Sequence, residues 1–290
     1  MQGELTTESI ERILRMALLE DAPWGDLTSQ TFIPANAQMR ADLVAREAGV
    51  LSGGPLFVAA MTLTDSTTRT TLHKADGEHF AKGDILATVE GPARAILQAE
   101  RVGLNFVQRL SGIATMTAAF VAAIAGTKAR IVDTRKTTPG LRLFERYAVR
   151  CGGGFNHRFS LSDAVMAKDN HLAVLTQNGS LGLTESLREA RATLPHTAHF
   201  EVEVDRADQI EQVLAAGVDT IMLDNFTVDQ LRAGVAQVAG RALVEASGSV
   251  RLDTVAEIAR TGVDIISVGA LTHSVRSLDL GLDYHADATS

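Results

Sequence analysis

The sequence predicts an α/β protein whose C-terminal half is a parallel sheet or an open barrel. Three observations carry that prediction. From about residue 130 onward, short apolar runs, each ending in polar residues, alternate with amphipathic stretches. The runs fall at 131–136, 164–171, 200–205, 220–225, 243–248 and 265–270, and the last four recur every 20 to 23 residues, the size of a minimal βα unit. Between them, helical spacing covers 207–216, 228–238 and 252–261, and Gly217, Gly240 and Gly262 stand where those helices must stop. Six runs fall short of the eight of a closed barrel, so an open or incomplete one is expected.

The N-terminal part has a different texture. Apolar residues at helical spacing (Ile10, Ile13, Leu14, Ala17, Leu18) predict a helix over 6–20, with Thr7 at its capped start. Trp24-Gly25-Asp26-Leu27-Thr28 is a loop in which Asp26 and Thr28 suit turn and cap hydrogen bonds. Residues 37–95 are β-rich, with strands at 39–46, 67–73 and 85–90 and a helix at 55–63. A long helix follows over 93–120, and Ser111-Gly112 introduces a further helical segment to about residue 125. Arg101 interrupts the apolar stripe of the long helix; on spacing alone it is a snorkelling side chain as readily as a functional one. Asn105, Gln108 and Arg109 form a second, polar stripe.

Composition narrows the function. With 290 residues, 46% of them apolar and 21% charged, the chain can bury a substantial core. A net charge of −8 without a basic face argues against nucleic acid. The single cysteine, Cys151, allows neither an internal disulfide nor a cysteine zinc site, which fits a reducing, cytoplasmic setting; it reads as a small buried residue. The N-terminus reads as the start of an amphipathic helix rather than a signal peptide, and the apolar run near 116–126 is short for a membrane span, so no membrane partner is expected.

Against that acidic total, the cations of 131–171 stand out. Asp133-Thr134-Arg135-Lys136 ends one apolar run. Pro139 stands where a helix would begin, with Leu141, Phe144, Tyr147 and Ala148 at helical spacing after it. Gly152-Gly153-Gly154, Asn156-His157-Arg158 and Lys168-Asp169-Asn170-His171 follow. Side chains at strand C-termini converge on one mouth in βα architectures. Here the early strands bring Arg135, Lys136 and Lys168. The middle ones bring Glu203, Asp205, Asp224 and Asn225. The last bring Glu245, then Ser247-Gly248-Ser249 and Val268-Gly269-Ala270, each before a helix or short turn. Arg and Lys hold carboxylates or phosphates, and backbone N–H groups at a helix start hold phosphate. The carboxylates can hold ribose hydroxyls or Mg²⁺, or stabilise a developing cation. Lys168 alone could form a Schiff base, but so many cations nearby suit a multiply anionic substrate.

These motifs, in this order, resemble the carboxylating nicotinate-nucleotide pyrophosphorylases, or quinolinate phosphoribosyltransferases. The resemblance covers almost the whole chain, from Gly25-Asp26-Leu27-Thr28 through Ala99-Glu100-Arg101, Asp133-Thr134-Arg135-Lys136-Thr137, Asn156-His157-Arg158 and Lys168-Asp169-Asn170-His171. It continues in Glu201-Val202-Glu203-Val204-Asp205, Leu223-Asp224-Asn225, Glu245-Ala246-Ser247-Gly248 and Val268-Gly269-Ala270. It implies an N-terminal α/β sandwich over 1–112, with about 274–290 packing back on it, and an open α/β barrel over 113–273. It implies transfer of phosphoribose from 5-phosphoribosyl-1-diphosphate to quinolinate with decarboxylation, Mg²⁺ as cofactor, and a homodimer or higher oligomer in which Arg101 acts across the interface. Arg101, Arg135, His157, Arg158 and Lys168 would hold the quinolinate carboxylates, and Thr134 and Lys136 would join the substrate contacts. Glu203 and Asp224 would bind ribose and the Mg²⁺-bearing donor. Ser247, Gly248, Ser249, Val268, Gly269 and Ala270 would surround the 5-phosphate. Lys136, Lys168, Glu203 and Asp224 form the implied catalytic set. One position departs: Ser249 replaces the second glycine usual in the family's phosphate turn.

Overall fold

The computed structural model describes residues 5–178 and 181–285; residues 1–4 of the expected N-terminal helix start and 286–290 of the expected C-terminal return lie outside them. The chain divides into two compact units: Met1–Ala118, Thr138–Gly153 and Val275–Ser290 make one, Ala119–Thr137 and Gly154–Ser274 the other.

In the first unit, α1 (Thr7–Asp21) is capped by Thr6, one residue earlier than expected, whose hydroxyl accepts from the Ser9 N–H. Asp26 caps α2 (Leu27–Phe32) by accepting from the Thr28 N–H. There follow β1 (Gln38–Ala45), β2 (Gly49–Val50), α3 (Gly54–Thr64), β3 (Arg69–Leu72), β4 (His79–Phe80) and β5 (Ile85–Pro92). Strand β1 pairs antiparallel with β5, and β5 with β3. The sheet's apolar face (Leu43, Ala87, Val89) packs on Phe57 and Met61 of α3 and on Ile96, Ala99 and Val107 of the next helix.

That helix, α4 (Ala93–Ala123), is one continuous rod of 31 residues, not the two segments expected at Ser111-Gly112. Gly112 is needed there because a Cβ would lie 2.2 Å from the Arg276 carbonyl oxygen. By length and composition α4 could cross a membrane, so its apolar character extends beyond the 116–126 run. Its apolar face is core, with Ile96, Val107, Ile113 and Phe120 buried. Two of the three polar-stripe residues make defined contacts: Gln108 Nε2 donates to the Leu280 carbonyl at 2.6 Å, and Arg109 pairs with Glu145 of α5 (Arg142–Cys151), while Asn105 is exposed. Pro139 does not open α5; it lies in the turn before it, and Leu141 takes the N-cap position.

In the second unit, β6 (Arg130–Val132), β7 (Val165–Ala167), α6 (Asp169–Asn178), α7 (Leu183–Ala192), β8 (Phe200–Val204), α8 (Ile210–Ala215), β9 (Thr220–Asp224), α9 (Val228–Val238), β10 (Leu243–Ser247), α10 (Val255–Ala259), β11 (Ile265–Ser267) and α11 (Ala270–His273) follow in order. The six strands form a parallel sheet in the order β6-β11-β10-β9-β8-β7. Among the described residues β6 and β7 do not pair, so the barrel is open, as expected. Val202 and Val204 of β8, Ile221 and Leu223 of β9 and Val244 of β10 are buried, which explains why these strands read as apolar runs. Gly217, Gly240 and Gly262 adopt the positive φ that ends a helix. Helix α10 starts at Val255, later than expected, and Ser247-Gly248-Ser249 takes the turn form of its two expected arrangements. In the first unit the chain returns as β12 (Leu280–Tyr284), antiparallel to β1. Arg276 anchors this return to Glu47, whose carboxyl is pulled down to about 2 by that pairing and by the Asp279 N–H.

Candidate active site

The parallel sheet carries a cavity of about 410 Å³ on the side of its strand C-termini. Each wall is built from the end of a different strand. Residues two apart along extended backbone share a face, so β9 and β10 each deliver a pair, and Met166 of β7 and Lys168 just beyond it follow the same spacing. Met166 leads to Lys168, Met222 to Asp224 and Glu245 to Ser247, and all six line the cavity. Glu203 joins them from β8 and Ser267 from β11.

The cations arrive on loops tied together by one buried carboxylate. Asp133, fully buried, accepts from the Asn156 side-chain amide (2.5 Å) and the His157 N–H (2.8 Å). It thereby joins the loop after β6 to the Asn156-His157-Arg158 segment. Thr134 Oγ1 accepts from the Lys136 N–H, and the Lys136 carbonyl accepts from the Thr272 hydroxyl at 2.7 Å. Thr134, Arg135, Lys136, His157 and Arg158 all reach the cavity. The Arg158 guanidinium, which donates to the Ala164 carbonyl, has a lowered pKa, first from burial and then from the charge of Arg135. Two guanidinium groups held this close favour an anion between them.

The carboxylates face them. Lys168 Nζ meets Glu203 Oε2 at 2.5 Å, and Asp224 accepts from the Asn225 side chain at 2.6 Å. Beneath His157 lies a group the sequence reading had not assembled. The His157 Nε2 stands 3.3 Å from Glu201 Oε2 and 3.3 Å from Glu245 Oε2. Burial by itself lowers the pKa of His157, but hydrogen bonds to Glu201 and Glu245 outweigh it and raise it. Burial raises the Glu201 carboxyl and the neighbouring Glu245 adds to the rise, while the hydrogen bond to His157 opposes it.

Of the sequence-derived residues, Thr134, Arg135, Lys136, His157, Arg158, Lys168, Glu203, Asp224 and Ser247 share this one cavity. Gly248, Ser249, Val268, Gly269 and Ala270 are not among its lining residues; they adjoin Ser247 and Ser267, which are. Gly269 still shapes it, because a Cβ there would press on the Lys136 side chain at 3.1 Å. Gly248 has φ 93°, and a Cβ would fall 2.2 Å from Asn225 Oδ1. Ser249 has φ 50°, the left-handed conformation that explains a glycine preference at this position. Arg101 belongs to the first unit, exposed on α4, and does not line the cavity. Lys168 lies between β7 and α6 rather than within a strand, and His171 is on α6. The sequence reading left out Met166, Met222 and Ser267 and kept Glu245 outside the binding set; stepping back two residues from Lys168, Asp224, Gly269 and Ser247 finds all four. Cys151 is no nucleophile: burial pushes its thiol up to about 11.

Two family models match consecutive stretches of the chain: the quinolinate phosphoribosyl transferase N-terminal domain over residues 26–111 and its C-terminal domain over 113–283. The chain belongs to the quinolinate phosphoribosyl transferase family. A carboxylating nicotinate-nucleotide pyrophosphorylase of Mycobacterium leprae is 45% identical over 98% of this chain and 100% of that protein. A probable one from Bacillus subtilis is 43% identical over 94% and 93%. Among solved structures, NadC from Streptococcus pyogenes superposes with a TM-score of 0.91 at 41% identity, covering 98% of this chain and 100% of that one. A nicotinate-nucleotide pyrophosphorylase from Pyrococcus furiosus shares the fold at a TM-score of 0.67 and 15% identity.

Proposed function

We infer that the cavity of the second unit is where this quinolinate phosphoribosyltransferase joins quinolinate to 5-phosphoribosyl-1-diphosphate, releasing diphosphate and carbon dioxide and forming nicotinate mononucleotide for NAD biosynthesis. The observation that carries the assignment to this cavity is that it brings together cations on loops, Arg135, Lys136, Arg158 and Lys168, and carboxylates at strand ends, Glu203 and Asp224, with Lys168 paired to Glu203. Quinolinate brings two carboxylates to the cations. The thioethers of Met166 and Met222 offer a polarisable wall for its ring. The ring nitrogen attacks ribose C1 as diphosphate leaves, and Glu203 and Asp224 stabilise the positive charge that develops on the sugar. Once alkylated, the nitrogen is an electron sink for the pair left at C2 when carbon dioxide departs, and a proton then replaces the carboxyl group. Positioning and charge suffice, with no covalent nucleophile.

Glu203 and Asp224 are oxygen donors facing the cavity, which suits Mg²⁺ arriving with the donor's diphosphate. When bound, Mg²⁺ would supply charge neutralisation on the leaving group. Ser247 and the adjoining Gly248 turn suit the 5-phosphate. Arg101, exposed on α4, is the quinolinate contact that a second subunit would supply, which makes the working form a homodimer. A reducing, cytoplasmic location is consistent with a single, unpaired cysteine.

The test is direct. Purified protein with phosphoribosyl diphosphate, Mg²⁺ and quinolinate yields mononucleotide and carbon dioxide in equal amounts, and nicotinate in place of quinolinate yields none. Turnover of nicotinate alone would move the substrate assignment.

A further inference from the structure

Glu201 and Glu245 cost the fold something. Each is buried, at 3% and 1% exposure, and each has a second carboxylate oxygen, Oε1, with no hydrogen-bond partner. An unsatisfied buried polar atom is destabilising, and buried carboxylates replaced by apolar groups of similar size are often neutral or better for stability. Their placement is regular. Glu201 stands beside Thr220 of β9, and Glu245 stands beside Met222 of the same strand, so the two flank β9 from β8 and β10. Both aim Oε2 at one nitrogen, His157 Nε2, from the same 3.3 Å.

The other ring nitrogen decides what this group is. One histidine and two carboxylates within 4.8 Å of one another have the composition of a metal site. But His157 Nδ1 accepts a hydrogen bond from the Arg158 backbone N–H at 2.7 Å. That uses the Nδ1 lone pair, so the ring hydrogen lies on Nε2, between the two carboxylates, where a metal would need a bare nitrogen. The arrangement is a clamp. Two acceptors grip one N–H from below, the ring orientation is fixed, and the ring in turn holds the peptide that carries Arg158.

We propose that Glu201 and Glu245 are positioning residues for acceptor recognition: by gripping His157 Nε2 from β8 and β10 they set the 157–158 turn and aim His157 and Arg158 at a carboxylate of the acceptor. The inference rests on the quinolinate reading of the cavity. It deepens that reading by assigning acceptor specificity to two residues that act through His157, one of which, Glu245, also lines the cavity.

The experiment is a graded series, Glu→Gln and Glu→Met, at each of the two positions, read as separate KM values for quinolinate and phosphoribosyl diphosphate, kcat and Tm. Gln keeps an acceptor for Nε2–H but loses the charge, and Met removes the acceptor at similar volume. Expected is a quinolinate KM raised about threefold to tenfold in the Gln variants, a charged hydrogen bond having become neutral. The Met variants raise it about 10- to 100-fold, the loss typical of a misplaced binding group. The KM for phosphoribosyl diphosphate stays level, and Tm is unchanged or higher in the folded Met variants. An unchanged quinolinate KM in every folded member of the series would overturn the proposal. So would both KM values rising together with a fall in Tm, which is the signature of a merely structural role. Stoichiometric metal in the wild-type protein, lost in the variants, would replace the clamp by a metal centre. Wild-type protein that never turns over quinolinate would sink the parent reading instead, so the two failures are separable.

Discussion

Gly248 and Ser249 show how single backbone angles constrain the site. Gly248 sits at φ 93° with Asn225 against its α-carbon, so Gly248→Ala must both strain the turn and displace Asn225. We expect it to raise the KM for phosphoribosyl diphosphate about tenfold, the scale of a 1–2 kcal/mol backbone penalty, while the quinolinate KM holds. Ser249 occupies the left-handed region with a side chain that disfavours it. Ser249→Gly should therefore leave activity intact and move the protein by no more than about 1 kcal/mol in thermal unfolding, toward greater stability. At this scale the sequence was most informative for charged side chains on loops. Arg135, Lys136, His157 and Arg158 were legible because a dense run of cations in an acidic chain has few structural uses. Met166 and Met222 were not, since an apolar residue on a buried strand reads as core until the face it occupies is known.

Elements were legible where the period was clean. Strands β8 to β11 and helix α9 lie where the alternation put them, because each is bounded by polar residues or a glycine. Three details shifted: Thr6 took the cap from Thr7 through a local bond from the Ser9 N–H, Pro139 fell before α5, and α4 ran unbroken through Ser111-Gly112. Gly112 had looked like a break; it is a point of close backbone approach. The pairing of α4 with α5 makes the same point energetically. Glu145 is fully buried, and its carboxylate accepts from Arg109 Nε at 3.0 Å and from the Thr138 N–H at 3.2 Å. Arg109→Ala leaves that charge uncompensated. We expect a loss of about 3–5 kcal/mol in chemical denaturation, with Glu145→Gln added to Arg109→Ala recovering part of it. A loss below 1 kcal/mol would show that water reaches Glu145.

For the whole molecule, the two family models divide the chain close to residue 112, and the contact pattern gives the segments Thr138–Gly153 and Val275–Ser290 to the first unit. No periodicity signals that kind of interleaving, since it depends on long-range contacts such as Arg109–Glu145 and β1–β12. The proposed sharing of Arg101 belongs at this scale too. Arg101→Ala and Lys168→Ala proteins should each be inactive with quinolinate and unchanged in oligomeric state. After subunit exchange, the mixture should regain about a quarter of wild-type activity, because half the dimers are then mixed and each has one intact site. Exchange verified by mass spectrometry without any recovery would count against a site shared across the interface.

An open barrel also leaves two strand edges, and unpaired edges are where foreign chains add on. Here both edge strands, β6 and β7, are only three residues long. The outer edge of β6 is already occupied: Phe155 exchanges hydrogen bonds with Ile131 and Asp133, and Arg130 stacks on its ring at 4.9 Å. An intruding strand would find a blocked edge on one side and three residues on the other. The opening in the sheet thus comes with its own protection against edge-to-edge aggregation, supplied by the same 155–158 segment that carries His157 and Arg158 into the cavity.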